Sequence, residues 1–493
     1  MKITTLFFIS AFILSASFAQ QKSFVPGSEL IFDESNLKAQ ANNNTQSLNK
    51  ILTNWVLVDT MQNSFSPALP FLTPIAYDQS SNALILVHRG STSYAQSSGE
   101  IWYNLLTDHG ISWERVSAIN NNLDLSGRYP NAVISNPNDG GISQSKGIFT
   151  WSHLNNPVFY GSGYGKDEPL GTGTPIANYD SVNSAEVLWT CGEWSFWAGG
   201  TPDVFKVART NDFSNIEHYQ VLDVGVSVIS LGGVGYNGIQ YLGFIGAFDD
   251  PNPANPIYSG WYPGYCKSTD NGVTWSPVTV VDFRTVLPNY DRLFDFIKND
   301  AFVSYCGDIN VDKDGYVHFI LSVTDTTLNN NTGINSIIEI FETVSGWNSM
   351  IIYEGIDDNT FTAREGPAAG QMGPNGYIAL DKDREHLACV WVADSPSSVQ
   401  GLCDVYISWR NIYSNQWTTP INLTMTDNMN ENGVHLAPQL YFDGGFSYKA
   451  FVGFFYELGN FGPNPNIINL TGFWVTNPTF TYTDVSDDKT ALL

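Results

Sequence analysis

The stretch Ser268–Trp275 reads STDNGVTW and has the composition of a tight turn between two strands. Gly272 can take a backbone conformation that other residues avoid. The carboxylate of Asp270 can accept hydrogen bonds from the amides of the turn itself. Trp275 supplies a ring for the hydrophobic layer between strands. Leu106–Trp113 (LTDHGISW) is a degenerate copy, and fainter remnants occur at 210–212 and 413–417. The pattern therefore predicts strands joined by recurring turns.

The turn belongs to a larger unit that recurs along the chain. In each copy a short apolar strand follows Pro or Gly, a turn rich in Asp, Asn and Gly comes next, and a second apolar strand follows. Copies begin near residues 74, 130, 175, 233, 308, 377 and 438, which are 45 to 75 residues apart. This spacing suits a four-stranded propeller blade with variable loops. We expect an all-β fold, a single β-propeller of about seven four-stranded blades over residues 51–480.

The seventh copy runs out of chain before a fourth strand. The segment 54–59 (NWVLVD) stands unused before the first copy. We therefore expect this N-terminal strand to supply the outer strand of the last blade. Such a pairing would close the ring and hide strand edges that an open array exposes.

The first 19 residues indicate export. Lys2 precedes a short apolar run, and small residues stand before Gln20, as in a secretory signal peptide. Residues 20–50 form a polar leader and 481–493 a C-terminal tail. No later stretch is long and apolar enough for a membrane span. Acidic residues outnumber basic ones 48 to 22, for a net charge of −26, so nucleic acid is not an expected partner.

The cysteines and histidines do not form a metal motif. The five cysteines include no CxxC pair, and the seven histidines are scattered. The acidic loop at 249–253 lacks the spacing of a calcium loop. We expect neither a metal nor a cofactor. Cys389 and Cys403 fall on strands that should be hairpin neighbours, so they are the candidate pair for a disulfide in an exported protein.

The quoted turn resembles the Asp-box, or BNR, motif S/T-x-D-x-G-x-x-W of the sialidase-like propeller superfamily. In that superfamily the box is a structural turn on the face opposite the active site, which implies that Asp270 forms a turn and is not a catalyst. The structural positions are Ser268, Asp270, Gly272 and Trp275, with Asp108, Gly110 and Trp113 in the degenerate copy.

Ligands of propellers usually collect at one end of the central channel. We letter the four strands of a blade A to D from the innermost outward. The Asp-boxes lie in the C–D turns, at the opposite end of the blades from the B–C loops and the D–A crossovers. These loops and crossovers form the end where a ligand is expected, which we call the loop-rich face. Loops carry function, and arginine binds carboxylates bidentately. The candidate ligand-binding residues there are Arg89, Arg128, Trp194, Trp197, Asp249, Trp261, Arg292 and Arg364.

The resemblance also implies what a catalytic site would need. Sialidases hold the substrate carboxylate with three arginines, use a tyrosine paired with a glutamate as nucleophile, and use an aspartate as acid/base. The candidates for these roles are Tyr290, Arg292, Arg128, Arg364, Glu365 and Asp124. The chain departs from the family because the Arg-Ile-Pro signature ahead of the first blade is missing, and residues 64–70 contain no arginine.

Three functions remain open on the sequence. The first is a secreted propeller that binds an extracellular glycan or surface protein through its loop-rich face. The alternative is a sialidase-like glycoside hydrolase, or a lyase, that acts on extracellular polysaccharide. The third is a structural module of a cell-surface assembly. The sequence specifies neither the ligand nor the oligomeric state.

Overall fold

The computed structural model describes residues 56–62, 72–90, 99–107, 113–121, 123, 127–155, 158–200, 204–222, 226, 228–249, 262–286, 301–325, 335–355, 376–394, 403–424, 431–445, 447–457, 470–476 and 479–481. The fold is an all-β single propeller of four-stranded antiparallel blades. None of the helices in this part of the chain is long and apolar enough to cross a membrane.

Six blades are each built from four consecutive strands. The N-terminal strand β1 (Val56–Gln62) precedes blade 1, which contains β2 (Ile75–Asp78), β3 (Ala83–Gly90), β4 (Glu100–Leu106) and β5 (Glu114–Ala118), and blade 2, which contains β6 (Gly127–Ser135), β7 (Lys146–Asn155), β8 (Val158–Asp167) and β9 (Ile176–Asp180). Blade 3 contains β10 (Val187–Cys191), β11 (Trp194–Gly200), β12 (Phe205–Thr210) and β13 (Glu217–Gln220), and blade 4 contains β14 (Val228–Tyr236), β15 (Ile239–Gly246), β16 (Tyr262–Ser268) and β17 (Thr279–Val280). Blade 5 contains β18 (Ala301–Val311), β19 (Val317–Asp325), β20 (Asn335–Thr343) and β21 (Gly346–Gly355), and blade 6 contains β22 (Tyr377–Leu380), β23 (His386–Asp394), β24 (Cys403–Asn411) and β25 (Ile421–Asn422). A short helix α1 (Phe283–Val286) and a 3₁₀ turn (Ile142–Gln144) complete these blades.

The remaining strands form two sheets from the C-terminal part of the chain. They are β26 (Glu431–Leu436), β27 (Tyr441–Gly444), β28 (Ser447–Lys449), β29 (Val452–Glu457), β30 (Leu470–Thr476) and β31 (Thr479–Thr481). A four-stranded sheet has the order β1-β30-β29-β26, with Val56 opposite Val475 and Gln62 opposite Leu470. A small sheet has the order β27-β28-β31. The described residues thus contain six blades of consecutive strands, where about seven were predicted, and one further four-stranded antiparallel sheet in which the N-terminal strand β1 pairs with β30.

The core consists of apolar layers between neighbouring sheets. Side chains alternate between the two faces of a strand, so one strand contributes to both layers. On β3, Ile85 and Val87 pack against blade 2, in a layer that includes Phe149 and Trp151. Leu84 and Leu86 face the other way, toward the sheet formed by β26, β29, β30 and β1. This alternation fixes the direction of every side chain along β3.

Two repeats are placed one strand differently from the prediction. The third copy was expected to begin with Ile176–Asp180 as an inner strand. That segment is β9, the outer strand of blade 2, and Val187–Cys191 is the inner strand of blade 3. The seventh copy was expected to begin near 438, but its inner strand is Glu431–Leu436. Apolar runs of similar length occupy inner and outer positions, so the local pattern does not distinguish them.

The turn after β16 is held by its own side chains. Asp270 Oδ1 accepts hydrogen bonds from the amides of Val273 and Thr274, at 3.1 and 2.9 Å. The Ser268 hydroxyl accepts one from the Gly272 amide at 2.8 Å. Gly272 has φ +82°. The Thr274 hydroxyl also donates to Asp270 Oδ2 at 2.7 Å, and this bond, together with the turn amides, lowers the pKa of Asp270 to about 2.

The cysteine expectation is wrong. On the β23–β24 hairpin, Cys389 lies opposite Ser408, and Cys403 lies opposite Asp394. The two cysteines are therefore five residues out of register, too far apart for the short separation that a disulfide needs. Cys389 is free and buried, as is Cys266, and Cys191 is free and partly buried.

A buried charge network joins blades 5 and 6. Arg410 on β24 donates to both carboxylate oxygens of Glu339 on β20, at 2.8 and 2.5 Å, and both side chains are fully buried. His318 and the indole of Trp417 also contact this carboxylate, at 2.7 and 2.8 Å. Burial alone would raise the pKa of Glu339, but Arg410 and His318 outweigh it and hold the pKa at about 2.

Candidate functional site

The loop-rich end of blades 1 and 2 holds a group of polar side chains. Alternation from Ile85 and Val87 places Arg89 on the face of β3 that looks toward blade 2. The same rule, counted from Phe149 and Trp151, places His153 on the face of β7 that looks toward blade 1. Both residues lie beyond the apolar layer, where each strand approaches its B–C loop. We call this region the blade 1–2 cleft, defined by Arg89, Tyr129, His153 and Tyr179. Arg128 lies beside the cleft, because it is opposite Ser152 and therefore belongs to the other face of β6.

A β-bulge places Tyr129 in the cleft. Arg128 lies opposite Ser152 and Asn131 lies opposite Thr150, so β6 carries one extra residue over this interval. Tyr129 has φ +52°, in the left-handed region that a bulky residue enters at a cost of about 1–3 kcal/mol. Bulges re-aim side chains and are common beside active sites. The strained backbone makes Tyr129 a candidate functional position.

The charges of two arginines act on the pKa of the Tyr129 hydroxyl. Burial raises the pKa of Tyr129, while the positive charges of Arg89 and Arg128 act in the opposite direction. Burial prevails, so the hydroxyl stays protonated at neutral pH and can donate a hydrogen bond. Arg89 is almost fully buried, and Arg128 is half-buried with a hydrogen bond to the Gly127 carbonyl at 2.8 Å. The neutral Tyr129 hydroxyl thus lies within the field of two cations, Arg89 on β3 and Arg128 on the other face of β6.

An aromatic pair lies beside these residues. The rings of His153 and Tyr179 have centroids 4.1 Å apart and planes inclined by 44°. His153 is the register partner of Gly127, so the pair lies at the same end of blade 2 as Arg128. Tyr179 is on β9, where it lies opposite Gly163 of β8. Ala177, two residues before Tyr179 on the same strand, packs into the layer between blades 1 and 2. Tyr179 therefore faces the blade 1–2 cleft.

The glycines of β8 let the two rings meet across an intervening strand. A Cβ at Gly163 would lie 1.9 Å from the ring of Trp151. Gly161 has φ +68°, and a Cβ there would lie 2.0 Å from the carbonyl of Asp180. A side chain at either position would clash with these atoms, so no side chain projects from β8 between β7 and β9 at Gly161 and Gly163. Tyr179 can therefore lean over it to His153.

Of the predicted ligand-binding residues, the structure places Arg89 and Arg128 near enough to Tyr129 for both charges to lower its pKa against the effect of burial. Asp249 follows β15 on a B–C loop and is exposed, as predicted from sequence. The residues Asp124, Trp261, Tyr290, Arg292, Arg364 and Glu365, together with Asp108, Gly110 and the segment 1–55, lie outside the described residues.

Two tryptophans lie elsewhere than expected. Trp194 and Trp197 were predicted in a B–C loop, but both are on β11, a B strand. Trp197 is fully buried, and its indole donates to Asp180 at 3.3 Å. Trp194 begins the strand at the A–B turn, on the face opposite the loop-rich one, with Arg209 stacked 4.3 Å from its ring centre. The one-strand error in the third repeat caused this misplacement.

Polar side chains on the inner strands also form hydrogen bonds to the neighbouring blade. The Ser230 hydroxyl donates to Glu186 at 3.1 Å, and Asn131 accepts from the Thr73 amide at 2.8 Å. Asp308 accepts from the amides of Ile309 and Ile378, at 2.8 and 3.0 Å, and so links blade 5 to blade 6. Burial raises the pKa of Asp308 to about 7 against these two amides.

The candidate residues that the sequence analysis did not include are Tyr129, His153 and Tyr179. Tyr129 had a signal, because it stands between Arg128 and Pro130, where the sequence analysis placed the start of the second copy, although β6 begins at Gly127. His153 and Tyr179 had none, since their pairing depends on the register of three strands. In the described part of the chain, no group of three or more His, Cys, Asp or Glu residues is arranged to hold a metal ion.

Comparisons with known proteins support the architecture. No family model matches the chain, and no curated protein matches it. Among solved structures, an ulvan lyase from a new family of polysaccharide lyases is similar, with 10% identity, a TM-score of 0.51, and coverage of 89% of this chain and 100% of that one. A second polysaccharide lyase has 9% identity, a TM-score of 0.45 and coverage of 83% and 90%. A subtype N11 neuraminidase-like protein has 10% identity, a TM-score of 0.36 and coverage of 67% and 84%.

Proposed function

We propose that this protein is a secreted propeller that binds an acidic extracellular polysaccharide in the blade 1–2 cleft. The observation that carries the proposal is the placement of Tyr129, held in a strained bulge between the charges of Arg89 and Arg128 at the loop-rich face. The fold similarity to a polysaccharide lyase makes polysaccharides the first ligand class to test. The resemblance to Asp-box propellers and the signal sequence at 1–19 support the same choice.

The charge of the cleft favours a carboxylate on the sugar. The chain has only 22 basic residues against 48 acidic ones, and two of the arginines act on one tyrosine hydroxyl. A guanidinium matches a carboxylate with two parallel hydrogen bonds. Hydrogen bonds between charged groups contribute about 1.5–3 kcal/mol each, which corresponds to about 10- to 100-fold in affinity.

The test is calorimetric binding of alginate and polygalacturonate, with neutral laminarin as the comparison. We expect the two acidic polymers to bind and laminarin not to bind. Arg128→Gln should weaken binding of the acidic polymers at least tenfold. The matched control is Lys382→Gln, which removes the same charge from the opposite face, where Lys382 pairs with Asp139 and remains largely exposed. Equal affinity of both variants would refute the proposed site.

A second candidate function is cleavage of the same polysaccharide. The observation that favours it is the Tyr129 hydroxyl, which stays protonated beside two cations. A positioned hydroxyl can act as a general acid, and arginines can stabilise charge that develops on a carboxylate. New reducing ends with ultraviolet absorbance from an unsaturated sugar would indicate elimination. Reducing ends without that absorbance would indicate hydrolysis, the sialidase-like alternative, and binding without either product would leave the protein a binding module.

A further inference from the structure

We propose that Arg384 forms a carboxylate-binding site at the end of the central channel opposite the loop-rich face, and that its ligand is a singly charged organic acid. This inference goes beyond the proposed function, because it concerns another face of the propeller. Its basis is a guanidinium that is anchored on one side and open on the other. Nη1 of Arg384 donates to Asn310 Oδ1 at 3.0 Å and to the Val311 carbonyl at 2.6 Å. Nε and Nη2 have no hydrogen-bond or ion-pair partner among the described residues.

Arg384 lies where the inner strands of neighbouring blades end. It is in the A–B turn of blade 6, between β22 and β23. Its guanidinium stacks on the ring of Tyr236, the last residue of β14, 4.7 Å from the ring centre. Asn310 and Val311 end β18, and Cys191, which ends β10, is close enough to act on the pKa of Arg384. One side chain of blade 6 thus approaches the inner-strand ends of blades 3, 4 and 5, which places it at this mouth of the channel.

Two other arginines show what such an arrangement holds elsewhere in the protein. Nη1 of Arg410 donates to main-chain carbonyls, and its Nε and Nη2 both donate to the carboxylate of Glu339. Nη1 of Arg209 also donates to a main-chain carbonyl, and its Nε and Nη2 both donate to Glu217. Each guanidinium lies over an aromatic ring. Arg384 has the same stacking and the same main-chain anchor, but no carboxylate of the described residues occupies its Nε–Nη2 edge.

The open edge is held in position by the backbone of its turn. Arg384 has φ +58°, in the left-handed region that residues with a side chain rarely adopt. The Lys313 amide donates to the Arg384 carbonyl at 3.2 Å, and the Tyr236 hydroxyl donates to the Lys313 carbonyl at 2.9 Å. Burial lowers the pKa of Arg384, because the guanidinium is poorly solvated. An acceptor at Nε and Nη2 would therefore supply hydrogen bonds that this environment leaves unmade.

The surrounding charges limit the ligand to one negative charge. The Nε–Nη2 edge matches the two oxygens of a carboxylate with parallel hydrogen bonds. Asp312 and Asp381 are close enough to act on Arg384, but each accepts hydrogen bonds from amides of its own turn and contacts a histidine ring. They leave the open edge free, yet their charges repel a further anion. A dianion such as sulfate is repelled more strongly than a monocarboxylate.

The experiment is an NMR titration of the full mature chain with sodium acetate, followed through the arginine Nε–H signals. The signal that is lost in Arg384→Lys belongs to Arg384, and Arg209→Lys assigns the control signal in the same way. We expect the Arg384 signal to shift and saturate, with a dissociation constant of about 1–10 mM for a single ion-pair contact. The Arg209 signal should not shift, because Glu217 occupies its edge. Sodium sulfate at the same ionic strength should bind more weakly than acetate.

Further arms identify the source of the carboxylate and the part played by the fork. Sodium glucuronate tests a sugar acid: binding of both probes would extend the ligand class to sugar acids, and binding of acetate alone would assign the site to small acids. Arg384→Lys keeps the charge but not the fork. The backbone amides of residues 381–386 should therefore shift with acetate in the wild type and not in this variant.

Two results would refute the site. One is an equal shift of the Arg384 and Arg209 signals with acetate, and the other is an effect of sulfate as large as that of acetate at equal ionic strength. Neither result bears on the polysaccharide site, which lies at the loop-rich face and is tested separately by Arg128→Gln. Conversely, if acidic polysaccharides do not bind but acetate shifts the Arg384 signal alone, the proposed function fails and the carboxylate site stands.

Discussion

Removal of the Arg410 side chain should destabilise the propeller strongly, because it leaves Glu339 charged and fully buried. In the native protein the guanidinium contacts both oxygens of this carboxylate. Breaking a buried ion pair by removing one partner costs about 3–5 kcal/mol. The pKa of Glu339, lowered from 4.5 to about 2 against the effect of burial, agrees in direction, and Arg410 and His318 share in lowering it.

The assay is urea unfolding of Arg410→Met, Glu339→Gln and the double variant. Glutamine keeps an acceptor for Trp417 but carries no charge. The double variant should therefore be more stable than Arg410→Met alone, because no uncompensated charge remains. The deficit of Arg410→Met should shrink as the pH falls, since Glu339 can then take up a proton.

The control uses a pair at the same blade junction that is open to solvent. Lys313 contacts Glu385 at 2.5 Å, but about a third of each side chain is exposed. Lys313→Met should cost less than about 1 kcal/mol. If Arg410→Met costs no more than this control, or if the double variant is less stable than Arg410→Met, the stranded-charge explanation is wrong.

Three further changes test other parts of the fold. Asp308→Asn should flatten the pH dependence of the melting temperature. The pKa of Asp308 is raised from 3.8 to about 7 in the folded protein, so the carboxyl contributes stability below about pH 4 that is lost as the pH rises through 7. A variant whose melting temperature depends on pH as steeply as that of the wild type would contradict this. Gly272→Ala should lower stability by about 1–2 kcal/mol in urea unfolding, because φ is +82° and a Cβ would lie 2.8 Å from the Phe196 ring, whereas polysaccharide binding at the other face should not change. Asp59→Ala should speed hydrogen exchange in β1 and β30 by releasing the contact with Arg115 at 3.2 Å, and unchanged exchange would show that the strand is held by other means.

The sequence predicted the fold well because each blade contains local signals. Apolar runs, Asp/Asn/Gly turns and the aromatic that ends a strand lie within a few residues of one another, so the repeat is visible without tertiary information. The strand order within a repeat is not local. Val187–Cys191 looks like a second strand because Ile176–Asp180 precedes it at the expected interval, yet the blade boundary falls between them.

The candidate site was predictable only in part. Arg89 and Arg128 follow from the rule that strand ends beside long loops carry function. The bulge at Tyr129 and the approach of Tyr179 to His153 depend on strand register, which the sequence does not encode in any short window. The error at Trp197 has the same origin, because a shift of one strand moves a residue from a loop to the core.

The measurement that tests the central claim most directly is the hydrogen-exchange footprint of a bound acidic polysaccharide. The mature protein would be labelled with and without saturating alginate, and peptides from both faces compared. The account predicts protection in residues 86–90, 127–129 and 151–155, the strand ends that form the blade 1–2 cleft, with no change in the turn at 268–275. Protection of that turn, with the cleft peptides unchanged, would place the ligand on the opposite face and contradict the account.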